Sequence, residues 1–379
     1  MKTLVVEGWR TSCHSYALVN QQQLLHLLRD SRFRLFHTDV PFCNPRWADI
    51  DSGLPPDAKA RIAAIPAPPA ASRADVIYRI SYPFRVHAGA SRVFVFATNE
   101  FDRTLTEDTV GADGRPQTRQ PQAVHIVTPS SWSRRAFLQA GYAPERVHVI
   151  PHGVDPDLAA PLAPQERNRL RQSLNIAADE FAFLNVGAMT WNKGIGPLIA
   201  AFAVHRRSFP KSILILKGAD ALYGNILQVS IEEAVRLRSE ARGLTIGQDI
   251  RYIPRNLSCA QLAQLYRAAD AYVAPYRAEG FNLPVLEAMA AGLPVVVTRG
   301  GATDDFCPDE AGLKVAADLT TGELGAYLEP RVESIIEQMA RIAGEPGTRE
   351  QLAKRARDGV IHQYAWSRVT ERLSQLVLT

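Results

Sequence analysis

The sequence predicts an α/β chain of two domains, each a buried parallel sheet wound by helices. Three observations carry that expectation. Short apolar runs alternate with amphipathic helical stretches along the chain. The 379 residues exceed what one domain usually holds. Residues 2–29 and 276–292 each read as a strand end, a glycine-containing loop and a helix. Such loops lie at the carboxyl ends of parallel strands, where open α/β sheets bind ligands.

Composition narrows the class. The apolar fraction of 46% is that of a globular protein. No run of about 18 apolar residues marks a membrane span. The start shows no basic segment followed by an apolar stretch and a small-residue cleavage site, so the expected location is cytoplasmic. Cys13, Cys43, Cys259 and Cys307 are scattered without metal-ligand spacing, as free thiols in a reducing compartment would be. A net charge of +4 argues against a nucleic-acid partner. The charge is uneven, with 18 basic against 13 acidic residues over 1–150 and 25 against 26 over the rest. A basic first half fits an ordinary solvated surface most simply. An acidic partner or a peripheral contact with an anionic membrane surface also fits.

In order along the chain, Leu4-Val5-Val6 is a strand, residues 8–13 a loop, and residues 14–29 a helix with Leu18, Leu24, Leu25, Leu27 and Leu28. Leu35-Phe36-His37 is a second strand. Residues 41–73 are rich in proline and alanine, a long irregular connection with a short helix near 59–65. Connections this long are often functional; a binding segment and a surface excursion fit equally well. Val76-Ile77-Tyr78 and Val93-Phe94-Val95-Phe96 are buried strands, and the second ends at Thr98, Asn99 and Glu100. Residues 103–122 read as a mobile polar loop. A strand over 124–128, a helix capped by Ser130 or Ser131 and ended by Gly141, and a strand over 147–150 complete the first half.

The second half opens with a charged helical connection up to 175 and a strand over 181–186. The loop Gly187-Ala188-Met189-Thr190-Trp191-Asn192-Lys193-Gly194 follows. Ile213-Leu214-Ile215-Leu216 and Arg251-Tyr252-Ile253 are strands, with Lys217 and Arg255 just beyond them. Helices are expected over 226–242, 259–268, 333–343, 349–364 and 366–378, and a strand over 295–297. Between them, Ala271-Tyr272-Val273-Ala274 is a buried strand that leads into the densest stretch of chemistry, residues 276–292. Pro284 suits a first helical position and Gly292 the residue past a helix end. Backbone amides of Phe281, Asn282 and Leu283 then point out of a helix start without intrahelical partners, and such a terminus attracts phosphate. Glu279 before the helix and Glu287 within it repel phosphate but accept hydrogen bonds from hydroxyls. Hydroxyls flanking a diphosphate describe a nucleotide sugar.

Glu279 and Glu287, with seven residues between them, embedded in Glu-Gly-Phe-x-Leu-Pro and followed by Gly-Leu-Pro-Val-Val, resemble the signature of glycosyltransferase family 4. Val186-Gly187 with Lys193-Gly194 resembles that family's phosphate loop, residues 149–155 its crossing between domains, and Trp366 the start of its last helix. The resemblance covers roughly residues 120–370 well and the first part poorly. It implies a retaining, metal-independent hexosyltransferase of the GT-B fold: two Rossmann-like domains facing across a cleft, with a C-terminal helix crossing back to the first. The expected divisions are residues 1–155 on the acceptor side, 156–364 on the donor side and 365–379 as the closing helix. The donor is a UDP- or GDP-type sugar, with no further cofactor. The acceptor bears a hydroxyl, as a glycan, glycolipid or small metabolite does.

The resemblance also supplies site roles. Lys193, Gly187, Thr190, Gly280, Phe281, Asn282 and Leu283 are expected at the diphosphate, Glu279 at the sugar and Glu287 at the ribose. Three departures stand out. Where relatives have a Gly-Gly pair that lets backbone approach the donor's diphosphate, this chain has Ser15-Tyr16, so Gly8 or the Ser15 hydroxyl is the expected donor-binding replacement. Where relatives have a histidine facing the sugar, Thr98, Asn99 or Glu100 stands, and Glu100 is the expected group to orient an acceptor hydroxyl. Where relatives have arginine after the loop glycine, this chain has Ala188, so Lys217 or Arg255 is the expected substitute cation. A non-catalytic relative that binds a nucleotide sugar is the competing reading. No Gly-x-Gly-x-x-Gly follows the first strand, which disfavours a nicotinamide dehydrogenase.

Overall fold

A computed structural model describes residues 1–70, 73–89, 91–116, 124–157 and 160–379. It divides into two compact units: Met1–Gly153 with Glu323–Gly325 and Trp366–Thr379, and Val154–Gly322 with Ala326–Ala365. Among the described residues, no helix is long and apolar enough to cross a membrane.

The strands of the first unit are β1 Lys2–Gly8, β2 Phe33–Asp39, β3 Val76–Ile80, β4 Phe84–Arg85, β5 Arg92–Phe96, β6 Thr109–Val110, β7 Val124–Thr128 and β8 Val147–Val149. Six of them form a parallel sheet in the order β2-β1-β3-β5-β7-β8. The order reverses between β1 and β3, so the loop after β1 lies at a topological switch point. Gly8 ends β1 there because a Cβ would collide with the Ile80 carbonyl on β3. The closing helix Trp366–Leu378 packs with helix Ser15–Leu27 in this unit. Lys2 Nζ donates to the Leu378 carbonyl (2.6 Å) and Arg32 pairs with Glu371 (2.9 Å). Trp366 seats against Gly153, where a Cβ would stand 2.6 Å from the indole.

The second unit continues with β9 Phe181–Val186, β10 Ser212–Lys217, β11 Ile250–Ile253, β12 Ala271–Ala274, β13 Val295–Thr298, β14 Leu313–Val315, β15 Ala317–Gly322 and β16 Gly325–Pro330. The parallel sheet runs β11-β10-β9-β12-β13-β14. Its strands are apolar on both faces, as a sheet covered on both sides requires. Leu184, Ile213, Ile215 and Tyr272 join one core with helices Cys259–Ala268, Leu283–Ala290 and Pro346–Val360. Phe183, Leu214, Leu216 and Val273 join the other with helices Ile195–Ser208, Leu227–Leu237 and Val332–Gly344.

Several expectations change. The helix expected over 226–242 stops at Leu237; Arg238 is extended, and a 3-10 turn over Ser239–Gly243 brings Ala241 into the core. The helix expected over 349–364 is Pro346–Val360, because proline fits a first turn and Tyr364 instead gives its carbonyl to the Val154 amide (2.7 Å). Residues 103–122 are not wholly a loop: β6 pairs with β4, while residues 117–123 lie outside the described residues. Within 41–73, helix Pro56–Ala63 forms slightly earlier than expected. The β15–β16 ladder was not anticipated, since β15 is mostly exposed and carries no apolar alternation.

Candidate active site

In the second sheet the strand order reverses between β9 and β12, and the loops after these two strands carry Lys193 and Glu279. The backbone locks the loops together. Gly194 has φ +68°, and a Cβ there would collide with the Pro275 carbonyl of the other loop. The amides of Arg277 and Ala278 both donate to the Asn192 carbonyl, at 2.8 and 3.1 Å. Lys193 Nζ then meets Glu279 Oε1 at 2.7 Å. The sequence had placed these two side chains at different parts of a ligand; the structure also pairs them directly. Glu279 is buried and Lys193 partly exposed, so the pair is an oriented cation at the rim of a loop crossing.

The loop after β12 enters helix Leu283–Ala290 through Asn282, at φ +73°, with no side-chain cap. That backbone costs a non-glycine residue about 1 kcal/mol, and such outliers gather at functional sites. The helix N-terminus therefore presents amides and positive dipole three residues after Glu279, the carboxylate that Lys193 contacts. Glu287 lies within this helix, and the Tyr266 hydroxyl donates to it at 2.7 Å. Burial pushes its carboxyl up to about 7, against the opposing effect of the Tyr266 hydrogen bond.

Sequence reasoning missed the group that braces this loop. Arg277, two residues before Glu279, is 2% exposed. Its guanidinium forks onto Glu329 of β16 (2.7 and 2.8 Å), reaches Glu233 (2.6 Å) and donates to the Trp191 carbonyl (3.0 Å). It also lies 4.6 Å from the Trp191 ring centroid. Burial opposes its charge, but the hydrogen bonds to Glu329 and Glu233 outweigh this and hold its pKa above the ordinary value. With two carboxylates upon it, Arg277 is a brace rather than a replacement for the guanidinium absent at Ala188. A basic residue within the 276–292 stretch was the available signal; its partners lie far away in sequence.

The other expected residues fall as follows. Thr190 opens the short turn Trp191–Lys193, and Gly187 begins the same loop with φ +155°. Lys217 is the last residue of β10 rather than beyond it, buried, with its amine on the Gly218 carbonyl. Arg255 is exposed, two residues past β11. Gly280, Phe281 and Asn282 are buried along the loop, and Leu283 is partly exposed at the helix start. Gly8, Ser15 and Glu100 belong to the first unit, at the carboxyl end of its sheet. Ser15 is exposed at its helix start, whose cap is His14, and the Glu100 carbonyl accepts from the Trp132 indole at 2.8 Å. Among the described residues, no group of three or more His, Cys, Asp or Glu side chains is arranged to hold a metal.

Known proteins place this geometry. The chain is 34% identical over 233 residues to a D-inositol 3-phosphate glycosyltransferase of Actinosynnema mirum, a match covering 61% of the chain and 51% of that protein. It is 27% identical over 252 residues to a lipopolysaccharide 1,2-N-acetylglucosaminetransferase of Salmonella typhimurium, covering 66% and 61%. The match thus spans about half the length of the first relative. In fold, Anabaena Alr3699/HepE, solved with UDP and glucose, superposes with a TM-score of 0.68 at 15% identity and covers 100% of both chains. A sucrose-phosphate synthase of Thermosynechococcus elongatus gives 0.67 at 17% identity, covering 99% and 98%. The expected fold class, two Rossmann-like α/β domains of the GT-B kind, is therefore the observed one. The model of the family described as glycosyl transferases group 1 matches residues 166–359, just over half of the chain and all of the loop pair above, and the chain belongs to that family.

Proposed function

We propose that this chain is a retaining, metal-independent glycosyltransferase of the family 4 type, moving a hexose-type sugar from a UDP or GDP sugar to a hydroxyl acceptor. The observation that carries the reading is the Lys193–Glu279 pair beside the uncapped start of helix Leu283–Ala290, at the switch point of the second sheet. The names of its relatives, a D-inositol 3-phosphate glycosyltransferase and a lipopolysaccharide 1,2-N-acetylglucosaminetransferase, support the same reaction class.

Each residue then has a defined role. Lys193 and the amides of Phe281, Asn282 and Leu283 take the diphosphate, with Gly187, Thr190 and Gly280 letting backbone approach it. The Lys193 charge stabilises the leaving phosphate as the glycosidic bond to it breaks. Glu279 accepts from sugar hydroxyls and orients Lys193. Glu287 accepts from the ribose diol. The leaving phosphate takes the acceptor's proton on the face from which it departs. Residues 156–364 serve the donor, and Gly8 and Ser15 belong to the donor-binding set; residues 1–155 otherwise serve the acceptor side, where Glu100 orients the acceptor hydroxyl, and residues 365–379 close the first domain. Lys217 and Arg255 supply the outer cations of the donor side. A cytoplasmic location fits four cysteines, Cys13, Cys43, Cys259 and Cys307, that form no disulfide, and the basic first half fits a peripheral contact with an anionic membrane.

The test is a panel of UDP and GDP sugars, with nucleotide release followed over hours with and without hydroxyl acceptors. Slow release from one donor, accelerated by an acceptor, is the expected result. Measurable binding without turnover of any donor overturns the catalytic reading in favour of a binding protein.

A further inference from the structure

The first unit holds a cavity of about 630 Å³, within the ~300–1,000 Å³ of ordinary small-molecule sites. It lies between the loop after β1, the segment after β2 and helix Pro56–Ala63. Its lining includes two cations, Arg10 and Lys59, against three carboxylates, Asp39, Asp49 and Asp51. Both cations are occupied. Arg10 forks onto Asp39 (2.8 and 2.7 Å) and donates to the Ile62 and Ile65 carbonyls; Lys59 bonds both oxygens of Asp51, at 2.9 and 2.6 Å. Lys59, with the Gly53 amide, holds the Asp51 carboxyl below the usual range.

Ser12 adds an independent pointer. It lines the same cavity, is 1% exposed, and its Oγ has no hydrogen-bond partner among the described residues. Its backbone holds φ +77°, a costly value for serine that persists where surrounding structure or function requires it. A buried hydroxyl normally finds a partner, and here the cavity is where one would come from. Phe42, stacked on Trp9 with centroids 4.9 Å apart, also lines the space and supplies an apolar wall.

We propose that this cavity binds one uncharged sugar ring of the acceptor, a refinement that rests on the glycosyltransferase reading. A carboxylate beside an ammonium offers an acceptor and a donor together, which matches a hydroxyl that both gives and takes hydrogen bonds. Phe42 faces the C–H side of the ring, and Ser12 supplies the missing bond. A phosphorylated ring is disfavoured, because it meets a lining with more carboxylates than cations and both cations already paired. The acceptor class inferred here is thus neutral at this ring.

The experiment is saturation-transfer NMR with calorimetry on the full chain, using methyl hexopyranosides, N-acetylglucosamine and maltose, with glucose 1-phosphate as the charged comparison. A neutral sugar should bind at least about tenfold more tightly than glucose 1-phosphate. Lys59→Met and Ser12→Gly should each weaken it about fivefold, with UDP and GDP affinities unchanged and the melting temperature not lowered as the check on folding. Binding of no neutral sugar, tighter binding of the phosphate, or indifference to both substitutions overturns the proposal. If nucleotide sugars turn over while the cavity takes no sugar, this site alone fails. If sugar binds here and no donor turns over, the transferase reading fails and the sugar site stands.

Discussion

Replacing Arg277 by methionine keeps most of the side chain's volume and removes its charge. Four hydrogen bonds to Glu329, Glu233 and the Trp191 carbonyl disappear, with the stacking on Trp191. Breaking a buried ion pair by removing one partner costs about 3–5 kcal/mol, mostly because the remaining charge is left buried and unpaired. Glu233 is 18% and Glu329 37% exposed in their side chains, so Glu329 regains water and the lower end applies, about 3 kcal/mol. For a domain of this size each kcal/mol moves the melting temperature by about 2–4 °C, which gives a fall of about 6–12 °C. The loop that Arg277 braces carries Glu279 and the Asn282 helix start, so UDP and GDP affinity should fall with it. Thermal denaturation with and without nucleotide, alongside calorimetric titration, reads both quantities. Adding Glu233→Gln and Glu329→Gln should recover much of the stability, because the stranded charges are gone. A melting temperature within 2 °C of the parent, or no recovery in the triple variant, would refute the brace.

If Lys193 stabilises the leaving group as proposed, Lys193→Ala should lower kcat about 10²–10³-fold while donor KM changes less; steady-state kinetics showing equal loss in both would deny a leaving-group role. Glu287 titrates in the range of neutral pH. Its folded pKa of about 7 is raised from 4.5, so the folded state binds the extra proton and stability falls as pH rises from about 4.5 to 7, then levels. Glu287→Gln should flatten that slope in melting curves between pH 5 and 8, and should also abolish the rise in UDP or GDP affinity expected as the carboxylate ionises; parallel pH profiles for parent and variant would exclude Glu287 as the titrating group. Gly194→Ala places a methyl against the Pro275 carbonyl and puts alanine at φ +68°, so it should cost at least about 2 kcal/mol and part the two loops. An unchanged melting temperature would contradict the crossing as described.

How much of this was legible in the sequence depended on the range of the interactions. Most strands of both sheets announced themselves because a parallel sheet covered on both faces needs unbroken apolar runs, as in 181–186 and 271–274; β14 was not anticipated, because it is three residues long with Lys314 at its centre. Pro284 and Gly292 marked a helix because each fits one end of one. The β15–β16 ladder was invisible because β15 is mostly exposed and imposes no pattern, while the alternation of β16 is confined to six residues. The arginine brace was invisible for a different reason. Arg277 meets Glu233, on a helix 44 residues earlier, and Glu329, on a strand 52 residues later. No local spacing encodes such a meeting.

The same distinction explains the charge balance of the site. The sequence shows Ala188 where the resemblance to family 4 leads one to expect a guanidinium, which implies a deficit of positive charge. The structure shows that the nearby guanidinium of Arg277 does not make up the deficit, because it is spent on two carboxylates. What the chain gains from that brace is rigidity at the loop that presents Glu279 and, through it, Lys193. A fixed lysine beside an uncapped helix start is already oriented before a ligand arrives, and preorganised charge of that kind supplies much of the stabilisation that a mobile cation loses to reorganisation. The pair of Lys193→Ala and Arg277→Met separates the two contributions. The first should act on turnover, and the second on stability and nucleotide affinity. If the two variants showed the same profile, charge and rigidity at this loop would be one property rather than two.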